Sequence, residues 1–250
     1  MIITAFGLSD IGKLHEENQD ALLIDPKHHV YAVADGVGSL PDAAESSQLA
    51  IETLQLYING SATIGRPEGH ALPADSFDFQ PLFQHINQVV HQRGIDNHSL
   101  MGMGTTLTAV QIIGTHLLIG HVGDSSVLLF HEHTWEMCTK SHTMDQAIYD
   151  NLPHGKLIQN IPDAFVDTLT RCIGQETYVQ ADTIIKQPSL GDRVLICTDG
   201  ITKMIEEREL FQLLLQAKDP QSYVETLIAT ANEYGGHDNA TAIALFFDGE

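Results

Sequence analysis

Basic residues are few in this 250-residue chain, which has 12 Lys and Arg against 33 Asp and Glu and a formal net charge of −21. A chain this acidic repels polyanions, so its charge argues against nucleic acid or an anionic membrane as the main partner. The same imbalance leaves many carboxylates without a basic neighbour. Those carboxylates are available to bind hard cations.

Cysteine is scarce, and long apolar runs are missing. The cysteines, Cys138, Cys172 and Cys197, stand at unrelated spacings, which fits neither a disulfide framework nor a zinc site and predicts free thiols in a reducing cytosol. No apolar run approaches the roughly 20 residues that cross a bilayer, and the first residues lack the charged and apolar regions of a signal peptide. We therefore expect a cytoplasmic protein with no membrane partner, and we expect a monomer.

The order of the predicted elements indicates the fold class. A hydrophobic content of 43% is enough for a sizeable core, and no shift in composition divides the chain, so we expect one domain over residues 1–250. Strands and helices come in blocks, which favours an α+β fold with mainly antiparallel sheets. The predicted strands are 2–8, 21–24, 30–34, 106–113, 116–122, 126–130, 179–185, 193–197 and 240–247. The predicted helices are 43–58, 81–91, 206–217 and 221–232, and residues 61–78 form a long exposed connection.

Tight polar or glycine turns separate three of these strands, 106–113, 116–122 and 126–130. Short turns of this kind commonly join strands that pair with each other. We therefore expect these three strands to be antiparallel neighbours in one sheet.

Carboxylates recur where predicted strands begin or end. Asp35 and Asp199 each follow an apolar run and precede glycine, while Asp20, Asp124 and Asp238 lie next to other strands. Taken singly, an Asp-Gly pair is usually only a turn. Taken together, the five acids could supply the oxygen ligands that Mg²⁺ and Mn²⁺ prefer. The residues alone leave turn chemistry and a metal cluster about equally supported.

Eight motifs in order resemble the metal-dependent serine/threonine protein phosphatases of type 2C, especially their bacterial single-domain members. The motifs are SDIGKLHEENQD, AVADGVGS, GMGTTLTAV, IGHVGDSS, TKSHT, LTRCIG, VLICTDGIT and GGHDNATAI. The resemblance covers nearly the whole chain. It implies a four-layer α/β/β/α sandwich in which two mainly antiparallel sheets are flanked by helices, with metal ions in a cleft at one edge of the sheets.

The resemblance also implies a role for each acid. Asp35 would bridge two Mn²⁺ or Mg²⁺ ions with the carbonyl of Gly36 as a further ligand, and Asp199 and Asp238 would complete the catalytic set. Asp20 would order metal-bound water, and Asp124 would form a third, weaker site with Asp199. Hydrolysis would then proceed by direct attack of a metal-activated water on phosphorus.

One position departs from the family pattern. His15 stands where relatives usually carry an Arg that binds the substrate phosphate. Histidine donates fewer hydrogen bonds than arginine and is only partly charged near neutrality. Weaker substrate binding, or a steeper pH dependence, is therefore expected. The segment 144–167 occupies the place of the family's mobile flap near the cleft, although an ordinary connection explains it equally well.

The leading hypothesis is a phosphatase that removes phosphate from Ser or Thr of intracellular proteins and opposes a Ser/Thr kinase. One alternative is a weak or inactive phosphatase fold that serves as a binding module, and the presence of His15 in place of the usual Arg would be the first sign of it. Another is a hydrolase of small phosphoesters, because the same two-metal chemistry serves either substrate. Retention of Asp35, Asp199 and Asp238 favours activity.

Overall fold

The computed structural model describes residues 1–38, 42–60, 76–97, 102–152, 161 and 165–249. Its strands are β1 Ile2–Asp10, β2 Asp20–Asp25, β3 Val30–Val37, β4 Gly104–Thr105, β5 Leu107–Ile113, β6 His116–Val122, β7 Ser126–His131, β8 Thr134–Met137, β9 Asp182–Lys186, β10 Arg193–Cys197 and β11 Ala240–Asp248. Its helices are α1 Asp42–Ile58, α2 Phe79–Asp96, α3 Met144–Asp150, α4 Asp199–Thr202, α5 Glu207–Gln216 and α6 Pro220–Glu233. No helix in the described ranges has the length and apolar character needed to span a membrane.

The strands form two sheets. The first sheet has the order β2-β3-β5-β6-β9, with β4 paired to β3, and the second has the order β1-β11-β10-β7-β8. Every strand pair within the described residues is antiparallel. The prediction of mainly antiparallel sheets is therefore confirmed.

Alternation along β3 shows how the layers pack. Ala32 and Ala34 face a core formed with α1 and α2, whereas Tyr31 and Val33 face the core between the two sheets. This is the two-residue period of a strand covered on both faces. On the far side of the second sheet, helices α5 and α6 contribute buried residues such as Leu210 and Leu227 to a third core. The result is the expected four-layer α/β/β/α sandwich.

The expectation that three successive strands are neighbours was wrong for the last of them. Strands β5 and β6 pair in the first sheet, but β7 pairs with β10 in the second sheet. The connection between β6 and β7 thus crosses from one sheet to the other. Gly123, with φ +112°, supplies the backbone conformation for this crossing, and Asp124 follows it in the cleft between the sheets.

Several predicted boundaries also differ. Residues 179–181 lie outside the strand that begins at Asp182, because the backbone N–H groups of Val179 and Ala181 donate to side chains of α2 instead of a neighbouring strand. Helix α2 runs longer than predicted, from an N-cap at Asp78 to Asp96. The predicted connection 61–78 lies outside the described residues except for 76–78.

Short elements were missed. Strand β8 and helices α3 and α4 were not predicted, and α3 occupies the start of the segment expected to be a flap. Of that segment, residues 153–160 and 162–164 lie outside the described part of the chain.

Candidate metal centre

The end of β3 fixes the position of Asp35. Asp20 on β2 lies opposite Asp35 in the antiparallel register. On the other side, the Asp35 N–H donates to Thr106 Oγ1 at 3.0 Å, and the Asp35 carbonyl accepts from Thr106 N at 2.8 Å and Thr105 Oγ1 at 2.9 Å. The main chain at Asp35 is therefore held from both neighbouring strands.

Gly36 lies where the chain leaves β3 against the start of α1. A Cβ atom at this residue would overlap the carbonyl oxygen of Ala43 and would stand 2.9 Å from that of Gln19. The Gly36 N–H donates to the Gln19 carbonyl at 3.0 Å. Glycine is needed here for the close backbone approach.

Asp124 approaches Asp35 from the connection between the two sheets, and Asp199 approaches it from the second sheet. Asp124 follows the crossing between β6 and β7, and Asp199 is the first residue of α4, directly after β10. Each of the three acids offers a carboxylate oxygen within 4.8 Å of the other two. This spacing would allow hard cations to be shared among them. Within the described residues, this is the one group of three or more metal-ligating side chains drawn together in this way.

Two carboxylate oxygens at this centre lack a partner. Asp20 Oδ1 and Asp199 Oδ1 are inaccessible to solvent and have no hydrogen-bond partner in the described structure. The other oxygen of Asp20 accepts from Thr198 Oγ1 at 2.8 Å. Buried carboxylate oxygens normally find a donor or a cation, so this pair fits a site for divalent metal ions.

The acids perturb one another strongly. Burial, together with repulsion from Asp199, raises the pKa of Asp20 and that of Asp124 to about 7. Burial and repulsion from the surrounding carboxylates hold the pKa of Asp35 well above its usual value. A site that disfavours its own negative charge to this extent is one that a cation would stabilise.

Asp238 lies at the outer side of this centre. Its side chain is about 40% exposed, and its Oδ1 accepts from the Asn239 N–H at 2.8 Å. Burial and the charge of Asp199 raise its pKa. Asp238 and Asp20 are not members of the close group of three. Of the five predicted acids, Asp35, Asp124 and Asp199 therefore lie closest together.

His15 stands beside Asp238, with 3.3 Å between His15 Nε2 and Asp238 Oδ1. Its side chain is about 35% exposed. The residue predicted to contact the substrate phosphate is thus at the rim of the carboxylate centre.

Asn239 and Thr105 contact the segments that carry the acids. Asn239 Oδ1 accepts from the Gln19 N–H at 2.8 Å, and Asn239 Nδ2 donates to the Ile11 carbonyl at 2.8 Å. These bonds tie the segment before Asp20 to the start of β11. The two sheets are therefore joined at the edge where the acids meet.

Lys203 was missed by the sequence analysis. It lies four residues after Asp199, and its Nζ is 2.5 Å from Asp199 Oδ2. Burial opposes its charge, but Asp199 and neighbouring acids raise the pKa of Lys203 above its usual value. The i, i+4 spacing from Asp199 is the signal that could have identified it, provided that residues 199–202 had been predicted as a helical turn.

Comparisons with known proteins identify a family that this chain matches. A sequence model of the family described as protein phosphatase 2C matches residues 13–240. The serine/threonine phosphatase stp of Listeria monocytogenes serotype 4b is 27% identical over 246 residues, which cover 95% of this chain and 93% of that protein. Protein phosphatase PhpP of Streptococcus pneumoniae serotype 2 is 28% identical over 254 residues, with 97% of each chain covered.

A solved structure shares the fold. The catalytic domain of the serine/threonine protein phosphatase PstP, crystallised in complex with two manganese ions, superposes with a TM-score of 0.81. That alignment covers 99% of each chain at 24% identity. The likeness extends over both sheets and both helical layers.

Proposed function

The chain belongs to the protein phosphatase 2C family, and on that premise we propose that it hydrolyses phosphoserine and phosphothreonine on intracellular proteins with the help of divalent metal ions. Its substrates would be phosphoproteins made by a Ser/Thr kinase, whose action it would oppose. The curated relatives that it matches are themselves named as serine/threonine or protein phosphatases. The observation that carries the proposal is the cluster of Asp35, Asp124 and Asp199.

The acids divide into proposed roles by position. Asp35 stands between Asp20 on its own sheet and Asp199 on the other, which suits a carboxylate that bridges two ions, with the Gly36 carbonyl beside it. Asp199 and Asp238 would be the remaining ligands needed for catalysis. Asp20 would order water at the ions, and Asp124 would face Asp199 on the side where the family resemblance implies a third, weaker site. Divalent ions bound here would activate water as the nucleophile and offset charge on the phosphoryl oxygens.

His15 would orient the substrate phosphate. Its ring lies at the exposed rim beside Asp238, where an incoming phosphomonoester would arrive from solvent. A histidine can donate one hydrogen bond to a phosphate oxygen from Nε2, but it cannot make the bidentate contact of an arginine. We therefore propose that His15 holds substrate more weakly than an arginine at this position would.

Free thiols do not take part in the proposed reaction. Cys138, Cys172 and Cys197 are free, and burial raises the pKa of Cys138 and of Cys172 to about 11. Cys197 is fully buried at the end of β10. Such thiols are poor nucleophiles at neutral pH, so attack by water is favoured over a cysteine intermediate.

Further proposals concern the setting of the reaction. Mn²⁺ or Mg²⁺ suits an all-carboxylate and carbonyl donor set. Free cysteines suit the reducing cytoplasm. Residues 1–250 would act as one catalytic domain, since the three cores form a continuous stack from α1 to α6. The domain would act as a monomer.

Hydrolysis of a phosphothreonine peptide tests the proposal. The purified protein is assayed with Mn²⁺, with Mg²⁺ and with chelator, alongside Asp35→Asn and a small aryl phosphate as competing substrate. Metal-dependent turnover of the peptide that Asp35→Asn abolishes is the expected result. A folded protein that turns over no phosphoester would contradict the proposal, and turnover of the small phosphate alone would contradict its substrate class.

A further inference from the structure

Lys203 places a fixed positive charge within the carboxylate centre. It follows the short helix α4 and reaches back so that Nζ lies 2.5 Å from Asp199 Oδ2 and 3.6 Å from Asp167 Oδ2. Asp124 in turn offers a carboxylate oxygen within 4.8 Å of one from Asp199. The ammonium group therefore contacts the carboxylate that Asp124 and Asp35 approach.

Other cations at the centre are scarce. Among the described residues, the ion pairs that involve the five predicted acids are Lys203 with Asp199 and His15 with Asp238. A histidine is charged only when protonated, so Lys203 is the permanent cation of the two. Its side chain is about 36% exposed, whereas that of Asp199 is about 9% exposed. The more exposed lysine therefore covers a carboxylate that is almost fully buried.

The charges around Lys203 indicate how many ions the centre accommodates. The five acids and Asp167 carry six negative charges when ionised, and two divalent ions together with Lys203 supply five positive charges. A third divalent ion would raise the positive charge to seven. To reach Asp199 it would also have to lie beside the ammonium group, where like charges repel strongly.

We propose that Lys203 is a built-in cation that occupies the Asp124 and Asp199 side of the centre and limits this chain to two divalent ions. The proposal rests on the metal-dependent function proposed above. It assigns Lys203 the place of the third, weaker ion that the family resemblance implied for Asp124 and Asp199. Lys203 would act through Asp199 and would not itself contact substrate.

Direct measurement of Mn²⁺ binding tests this role without any activity assay. The free ion is followed by electron paramagnetic resonance as Mn²⁺ is titrated into the wild-type protein, Lys203→Met, Lys203→Arg and Asp35→Asn. Methionine keeps the unbranched shape of the side chain and removes its charge, while arginine keeps the charge. Melting in chelator shows whether each variant is folded, and Lys203→Gln replaces the methionine variant if that one is not.

The wild-type protein and Lys203→Arg are expected to bind two ions. Lys203→Met is expected to bind a third ion, or to bind its weakest ion tighter by about tenfold or more, because a neighbouring positive charge is gone. Adding Asp124→Asn to Lys203→Met should remove that gain. The same binding isotherm for Lys203→Met and the wild-type protein would overturn the role of Lys203. Absence of Mn²⁺ binding by the wild-type protein would instead overturn the metal-dependent function.

Discussion

Replacing Asp20 by asparagine should stabilise the metal-free protein, and more so at high pH. Burial raises the pKa of Asp20 from 3.8 to about 7, so its ionised form is disfavoured in the folded state. When folding raises the pKa of an acid, the folded state is favoured at pH values below the unfolded pKa. This advantage is lost as the pH rises through the folded pKa. The substituted asparagine would carry no charge, and its amide oxygen could still accept from Thr198 Oγ1, as Asp20 does at 2.8 Å.

The size of the effect follows from that pKa. Ionisation of Asp20 costs the folded state about 2 kcal/mol at pH 5 and about 4 kcal/mol at pH 8, where nearly the full difference is expressed. The stabilisation by Asp20→Asn should therefore be larger at pH 8 than at pH 5 by roughly 2 to 3 kcal/mol. Titrating groups away from Asp20, such as the buried His121, are common to both proteins and largely cancel in the difference. Asp35 adds to the difference in the same direction, because the charge of Asp20 is one cause of its raised pKa.

Urea unfolding in chelator at the two pH values measures this difference. With saturating Mn²⁺ the order should reverse, because the charge that is costly in the metal-free protein then attracts the ions. A stabilisation by Asp20→Asn that is equal at both pH values, or larger at pH 5, would show that ionisation of Asp20 does not destabilise the metal-free fold. Asp10→Asn, in which the altered acid accepts from Gly12 N and Asn232 Nδ2, serves as a control outside the carboxylate group.

Three further predictions follow from single contacts. Gly36→Ala should destabilise the fold by about 3 kcal/mol or more in urea unfolding, since its Cβ would overlap the Ala43 carbonyl oxygen. Unchanged stability would show that the backbone at Ala43 moves away without cost. His15→Arg should lower KM for a phosphopeptide by about tenfold with little change in kcat, and an unchanged KM at every pH would remove His15 from substrate binding. Tyr223→Phe should cost about 1 kcal/mol of stability through loss of the 2.9 Å hydrogen bond to the Leu210 carbonyl. It should leave Mn²⁺ affinity unchanged, and a change in that affinity would contradict the independence of the core between α5 and α6 from the carboxylate centre.

Much of the fold was predictable because strand and turn signals are local. The runs that end at Asp35 and Asp199 are apolar, bounded by glycine and buried in the sheets as predicted. The motif order then identified the family and the four-layer sandwich, both of which are confirmed. Assignment of strands to sheets was less certain from sequence, because a tight turn such as Gly123-Asp124 can close a hairpin or cross between sheets.

The centre was predictable in composition and less so in detail. All five acids were identified from their positions at strand ends, and Asp35, Asp124 and Asp199 converge in the structure, while their roles as ligands stay predictions. Lys203 was missed because a four-residue helix has too few residues to show a helical period. Its contact with Asp199 depends on that one turn. The pairing of His15 with Asp238 joins residues from opposite ends of the chain, which no local pattern indicates.

Anomalous scattering from a crystal grown with Mn²⁺ shows directly whether these carboxylates hold metal ions. We expect two manganese peaks that share the Asp35 carboxylate, one of them also within bonding distance of Asp199 and Asp238, with the Lys203 ammonium against Asp199. Peaks that do not contact Asp35, or no ordered manganese at this edge of the sheets, would rule out a metal centre built on Asp35.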